Sequence, residues 1–217
     1  MNSARSCRSS SVRAPAKLFL ASSNAGKLEE FRALAQSAPA NPLVELELLP
    51  GFDSLPSFEE RALTFAENAA GKALHYSRTS KGLMFADDSG LVVPALGGAP
   101  GVRSARYAGA TATNTERIAK LLGELCGKTG RERAAHFVCA IALAEEGRVI
   151  AVVTDRAEGE ILDAPRGSSG FGYDPVFYFP PLKRTFAEIS AEEKNQHSHR
   201  GKAFRKLLAA IPEMPRP

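Results

Sequence analysis

The sequence has little cysteine, no long apolar run and no acidic residue near its N-terminus, and each scarcity removes a class of function. Its three cysteines, Cys7, Cys126 and Cys139, form no Cys-x-x-Cys pair and have no histidine beside them at ligand spacing. That argues against a disulfide framework, a zinc site and a redox motif, and fits a reducing compartment, the cytoplasm. The longest apolar stretches, residues 137–144 and 149–153, are strand-sized and fall far short of the roughly 20 residues that cross a bilayer. No membrane partner is expected. The missing acids leave Arg5, Arg8, Arg13 and Lys17 unbalanced, and these four account for the net charge of +4. The rest of the chain is formally neutral and lacks the general positive excess of a domain that tracks a nucleic-acid backbone. No nucleic-acid partner is expected. Residues 1–16, rich in Ser and Arg and without the apolar core of a secretory signal, are expected to be a disordered tail. A domain over 17–212 and a flexible end at 213–217 follow.

What is present is an ordinary globular balance, 44% hydrophobic and 24% charged over 217 residues. Residues 17–22 read as a short buried strand, followed by a helical pattern with Leu28, Phe31, Leu34 and Ala35 on one face. Residues 44–48 alternate as a half-exposed strand does. Ser57 with Glu60 and Thr64 with Glu67 are alternative capping boxes for a helix reaching Tyr76. Residues 83–86 form a short strand expected to end at Asp87-Asp88-Ser89-Gly90, with extended structure resuming at Val92. Thr113-Asn114-Thr115-Glu116 caps a further helix. Strands are expected over 134–144, 149–154, near 160–162 and over 173–179, with a glycine-rich loop at 167–172 and a closing helix over 198–211. Early alternation of strands and helices, then closely spaced strands, predicts an α/β fold with a mixed sheet.

Several segments carry candidate chemistry. Ser22 to Lys27 joins a strand end to a helix start, where free N–H groups favour an anion. It is not a Walker A loop, since Ala21 and Leu28 stand where Gly and Ser or Thr are required, and a plain turn with a solvated lysine is equally compatible. Asp87 and Asp88 crowd like charge at a strand exit, which a hard cation would relieve. Asp88 with Glu59 or Glu60 could hold magnesium, while a turn-capping aspartate is the simpler alternative. The Asp-x-Asp spacing of haloacid-dehalogenase-type phosphatases is absent. Phe171, Gly172, Tyr173 and Asp174 place aromatics and an acid among glycines, suited to a purine ring or to core anchoring. Lys194, His197, His199, Arg200 and Lys202 form a basic cluster, either a solvated face or a set of phosphate and base contacts.

Taken in order, Ser-Ser-Asn-Ala-Gly-Lys, Thr-Phe-Ala-Glu-Asn-Ala, Ala-Asp-Asp-Ser-Gly-Leu, Leu-Gly-Gly-Ala-Pro-Gly-Val-Arg-Ser-Ala-Arg-Tyr-Ala-Gly, Gly-Phe-Gly-Tyr-Asp-Pro and Ser-His-Arg-Gly-Lys-Ala closely resemble the non-canonical purine NTP pyrophosphatase family. The resemblance runs from Leu18 to about Ile211. It implies an elongated mixed β-sheet flanked by helices, two lobes enclosing a nucleotide-binding cleft, and a homodimer. It implies hydrolysis of ITP, dITP and XTP to monophosphate and pyrophosphate with Mg²⁺, clearing them from the nucleotide pool. Ser22, Ser23, Asn24, Ala25, Gly26 and Lys27 would bind the triphosphate, Glu59 and Asp88 the metal, and Asp88 would accept the proton of the attacking water. Ser89, Phe171, Gly172, Tyr173, Asp174, Lys194, His199 and Arg200 would contact substrate.

Magnesium and Lys27 would then neutralise phosphate charge while a carboxylate orients water at the α-phosphorus, with Asp87 in a supporting role. Donors from His199 or Arg200 to a 6-keto oxygen would reject ATP. Guanine keeps that oxygen, so rejecting GTP needs a second test at position 2, whose residues the motifs do not name. Two features depart from the family pattern: Ala62 where many members have Gly, and the N-terminal tail. Two competing readings are a related pyrophosphatase acting on pyrimidine or modified nucleotides, and a non-catalytic nucleotide-sensing or RNA-binding module.

Overall fold

The computed structural model describes residues 16–22, 25–37 and 44–211. Apart from Ala16, the tail expected over 1–16 lies outside these residues, as does the C-terminal end at 213–217. Seven strands form one mixed sheet in the order β2-β1-β3-β4-β5-β6-β7. They are β1 (Ala16–Leu20), β2 (Val44–Leu48), β3 (Leu83–Val92), β4 (Ala134–Glu145), β5 (Arg148–Ile161), β6 (Phe177–Phe179) and β7 (Arg184–Thr185). β1 runs parallel to β2 and β3, and every later pairing is antiparallel. The helices are α1 (Ala25–Ser37), α2 (Phe65–Ser77), α3 (Asn114–Glu124), α4 (Ala191–His197) and α5 (His199–Ala210).

Strand alternation decides what packs where. On β3 and β4, Phe85, Cys139, Ile141 and Leu143 face one way, into a core with Leu28, Phe31 and Leu34 of α1 and Phe204, Leu207 and Leu208 of α5. Met84, Ala86, Ala140, Ala142 and Ala144 face the other way, against Ala69 and Ala73 of α2. Small residues on both surfaces let α2 sit close to the sheet. Further along the same strands, Leu91, Phe137 and Ala157 join Ile118 and Leu121 of α3, Phe177 and Phe186 in a separate core. The three long strands thus run from one core into another, and the junction falls at Asp87 to Gly90, opposite residues 138–141 of β4.

Some boundaries differ from those the sequence suggests. β3 does not stop at Ala86, because Asp87, Asp88 and Ser89 keep pairing with Ile141, Ala140 and Cys139. Residues 149–154 and 160–161 belong to one 14-residue strand, β5, because β4 pairs with it through the intervening residues. The strand expected over 173–179 covers only Phe177–Phe179, β6, because turns at Tyr173 precede it, with the Val176 and Phe177 amides donating to the Tyr173 carbonyl. A further two-residue strand, β7, follows at Arg184–Thr185. α4 has no counterpart in the sequence reading, although Ser190 and Glu193 form a full capping box. The choice at α2 is settled by Thr64, whose hydroxyl accepts from the Glu67 N–H.

Candidate active site

β1 ends at Leu20, opposite Phe85, so residues 86–91 of β3 have no strand on that side among the described residues. The edge opens at the C-terminal end of a parallel strand, where α/β sheets place ligands. Asp87 and Asp88 lie along it. The period of two sends their side chains to opposite faces, which corrects the expectation that the two carboxylates crowd one spot.

Asp87 faces α1 and α5. It is 1% exposed, accepts from Lys27 Nζ at 2.9 Å, and its Oδ2 lies 3.6 Å from Arg200 Nε. Burial alone would raise its pKa, but the charges of Lys27, Arg200 and Lys72 override that and hold it well below the usual carboxylate range. Arg200 is itself 3% exposed, donates to Glu30 at 2.8 Å and to Ser89 Oγ at 3.1 Å, and so ties α5 to α1 and β3.

Asp88 faces α2 and accepts from Asn68 Nδ2 at 2.9 Å. Burial, and next the charge of Glu60, push its pKa up to about 6 against the pull of the Asn68 bond. Glu60 pairs with Lys72 at 3.0 Å, and its carbonyl accepts from Arg106 at 3.0 Å. Glu59 instead pairs with Arg61, its side chain 63% exposed. Of the two glutamates in the sequence expectation, it is therefore Glu60 whose charge reaches Asp88. Arg106 and Lys72 hold Glu60 at backbone and carboxylate, and its neighbour is left turned toward solvent.

Of the anticipated phosphate loop, Ser23 and Asn24 lie outside the described residues. Ser22 is buried beyond the end of β1, while Ala25, Gly26 and Lys27 form the first turn of α1, with Lys27 directed at Asp87.

A cavity of about 110 Å³ opens beside Ser89 and Gly90, on the α5 side. Every pocket residue expected from the sequence lines it: Ser89, Phe171, Gly172, Tyr173, Asp174, Lys194, His199 and Arg200. Asp174 organises one wall, accepting from Lys194 Nζ at 2.5 Å and from the Phe171 N–H at 2.8 Å. That leaves Phe171, 52% exposed, beneath two cations, with Lys194 Nζ at 4.7 Å and the Arg200 guanidinium at 5.5 Å from its ring. An exposed aromatic face in this position offers a stacking surface for a flat ring. His199 stacks on Phe137 at 4.7 Å, and its Nδ1 has no hydrogen-bond partner among the described residues. Burial, reinforced by the charges of Arg200 and Lys194, holds its pKa well below the ordinary value, so the imidazole is neutral at pH 7. Tyr173 is instead a buried anchor, its hydroxyl donating to the Ser104 carbonyl at 3.0 Å.

No group of three or more His, Cys, Asp or Glu side chains with metal-binding geometry occurs among the described residues. The oxygen donors of Asp88 and Glu60 fit a hard divalent cation that takes one or two protein carboxylates and fills its shell with water and phosphate. They do not fit a closed protein cage. Asn68, Lys72, Glu30 and Arg117 also stand at the site, without being among the residues expected there from sequence. Asn68 and Lys72 are four apart on the Ala-rich face of α2, and polar groups on a packing stripe are the signal that could have singled them out.

Residues 18–210 match the Ham1 family. The chain is 52% identical over 191 residues to the dITP/XTP pyrophosphatase of Geobacillus kaustophilus, covering 88% of this chain and 92% of that one. It is 49% identical to the protein of the same name from Gloeobacter violaceus, with the same coverage. Its fold is similar to that of a HAM1 protein from Coxiella burnetii, with a TM-score of 0.80 and 41% identity over 92% of this chain and 100% of that one.

Proposed function

The chain belongs to the Ham1 family, and we propose that it hydrolyses non-canonical purine nucleoside triphosphates, ITP, dITP and XTP, to the monophosphate and pyrophosphate. One observation carries this reading: Arg200 joins the open carboxylate edge of β3 to the aromatic cavity, touching Ser89 and Asp87 on one side and lying over Phe171 on the other. A nucleotide laid across Arg200 would place its base against Phe171 and its phosphates near Lys27 and Lys72.

Within that arrangement the 6-keto oxygen of the base meets the donors of Lys194, Arg200 or His199. The phosphate charge is met by Lys27 and Lys72, with Ser22 to Lys27 as the cradle. Asp88, its carboxylate oriented by Asn68, accepts the proton of the water that attacks the α-phosphorus. Asp87, held ionised by Lys27 and Arg200, keeps those cations in place. Magnesium, held by Asp88 with Glu60 or Glu59, would supply charge neutralisation on the phosphates. The same reading includes a homodimer in the cytoplasm acting on free nucleotides, without nucleic-acid or membrane partners; among the described residues no helix is long and apolar enough to cross a membrane.

The test is pyrophosphate release from ITP, XTP, GTP, ATP and TTP with Mg²⁺ or EDTA, for the wild type and Asp88→Asn. Magnesium-dependent turnover favouring ITP and XTP, lost in the folded variant, supports the proposal. Equal turnover of all five nucleotides, or none, overturns it.

A further inference from the structure

Three cations line the cavity, and two of them are paired: Lys194 with Asp174 at 2.5 Å and Arg200 with Glu30 at 2.8 Å. The third, Arg117 of α3, has no carboxylate partner among the described residues. It is nonetheless fixed in place. Its Nε and Nη2 both donate to the Ala112 carbonyl, at 3.1 and 2.8 Å, just before the capping box that starts α3. The neighbouring Ile118 and Leu121 anchor the helix in the core. The fork is thus held at one edge, leaving Nη1 with no hydrogen-bond partner among the described residues. Its charge reaches Tyr173, whose pKa burial raises and Arg117 pulls down. Arg117 therefore stands at the Tyr173 and Ser104 end of the cavity, whereas Lys194 and Arg200 stand over Phe171.

We propose that Arg117 is a specificity-determining residue that reads the edge of the base away from Lys194 and Arg200, favouring a keto oxygen there over an amino group. The inference rests on the pocket taking a purine, as proposed above. Hypoxanthine, xanthine and guanine share the 6-keto oxygen and differ at position 2, which carries hydrogen, a keto oxygen or an amino group. A guanidinium has donors and no acceptor. It pairs with the 2-keto oxygen of xanthine, is indifferent to the hydrogen of hypoxanthine, and sets donor against donor with guanine, leaving a buried polar group unsatisfied. A charge-assisted bond to xanthine, the most acidic of the three bases, adds to the difference. This supplies the second test that excludes GTP.

The experiment compares kcat/KM for XTP, ITP and GTP in the wild type, Arg117→Met and Arg117→Lys, with thermal melts to verify folding. Calorimetric binding of XMP, IMP and GMP is measured in parallel. In Arg117→Met the XTP-to-GTP ratio is expected to fall by about tenfold or more, through KM for XTP, with Arg117→Lys retaining part of the preference. A proportional loss for all three nucleotides would place Arg117 on the phosphates or in the scaffold and overturn the proposal, as would an unchanged ratio. If the wild type releases no pyrophosphate, the hydrolase reading fails separately. The monophosphates then decide: a selective loss of XMP binding in Arg117→Met upholds the role of Arg117, and a uniform or absent effect refutes it.

Discussion

Asn68 holds Asp88 through one hydrogen bond, its Nδ2 donating to Oδ2 at 2.9 Å, while its Oδ1 accepts from the Ala62 N–H at 2.9 Å. A single buried side chain therefore fixes both the carboxylate on β3 and the loop that carries Glu60. Ala62, which stands where a glycine is common, is fastened there through its amide and carbonyl, and its φ lies outside the left-handed region that would require glycine.

Asn68→Leu keeps the branched shape and heavy-atom count of the side chain and removes all three hydrogen bonds. The Ala62 N–H and Asp88 each lose a partner in a buried setting, so stability should drop by about 1–3 kcal/mol. Pyrophosphate release should fall by roughly 10- to 100-fold in kcat, since Asp88 is no longer oriented. Urea unfolding and steady-state kinetics measure the two effects, and a stable variant with wild-type kcat would show that Asn68 orients nothing.

Asp88 carries a pKa of about 6 against an ordinary 3.8. An acid raised in this way binds more protons in the native state than in the unfolded chain, so its contribution to stability declines as pH rises from about 4 through 6. Asp88→Asn keeps an acceptor for Asn68 and removes the charge facing Glu60. In metal-free protein at pH 7.5 it should be more stable than the wild type, by on the order of 1–2 kcal/mol, with the gain vanishing by about pH 4. The same variant should release no pyrophosphate. Melting curves with EDTA across that pH range test this, and a loss of stability at pH 7.5 would contradict the electrostatic account.

Asp87 behaves with the opposite sign. Its pKa is lowered, so its stabilising contribution is present above the ordinary carboxylate value and is lost as pH falls below about 4. Asp87→Asn removes the carboxylate charge that pairs with Lys27 and one of the two that face buried Arg200, at a cost of about 3 kcal/mol near neutrality. The gap between variant and wild type should narrow on acidification below pH 4. Denaturant titrations at pH 3 to 7 would reveal a constant gap if the effect were steric.

Local patterns made most of the elements legible. The stripe at Leu28, Phe31 and Leu34, the Thr113 capping box and the alternation of residues 44–48 are contacts within a few residues of one another. The pocket residues were legible as motifs because several fall in short runs, such as Phe171 to Asp174. What failed was non-local. Whether Asp87 and Asp88 end a strand or lie within it depends on β4, about fifty residues later, and on where β1 stops. The pairing of Asn68 with Asp88 and of Arg200 with Glu30 joins residues 20 and 170 positions apart. No periodicity in one segment encodes such contacts. Glu60 and Glu59 are equivalent in sequence, and only Lys72 and Arg106 distinguish them.

Gly170 offers a test of how the base wall is built. Its φ is +74°, and a Cβ there would stand 2.2 Å from Asp174 Oδ2. Gly170→Ala must displace the carboxylate that holds both Lys194 and the Phe171 N–H, in addition to straining the backbone. Gly97→Ala, outside the cavity, is the control: its φ is +64°, but the added Cβ meets open space, so only the left-handed strain of about 1–2 kcal/mol applies. Gly170→Ala should therefore raise KM for ITP by about tenfold, while Gly97→Ala lowers the melting temperature and leaves KM near the wild-type value. Equal KM values for the two variants would mean that Asp174 does not set the position of the stacking surface.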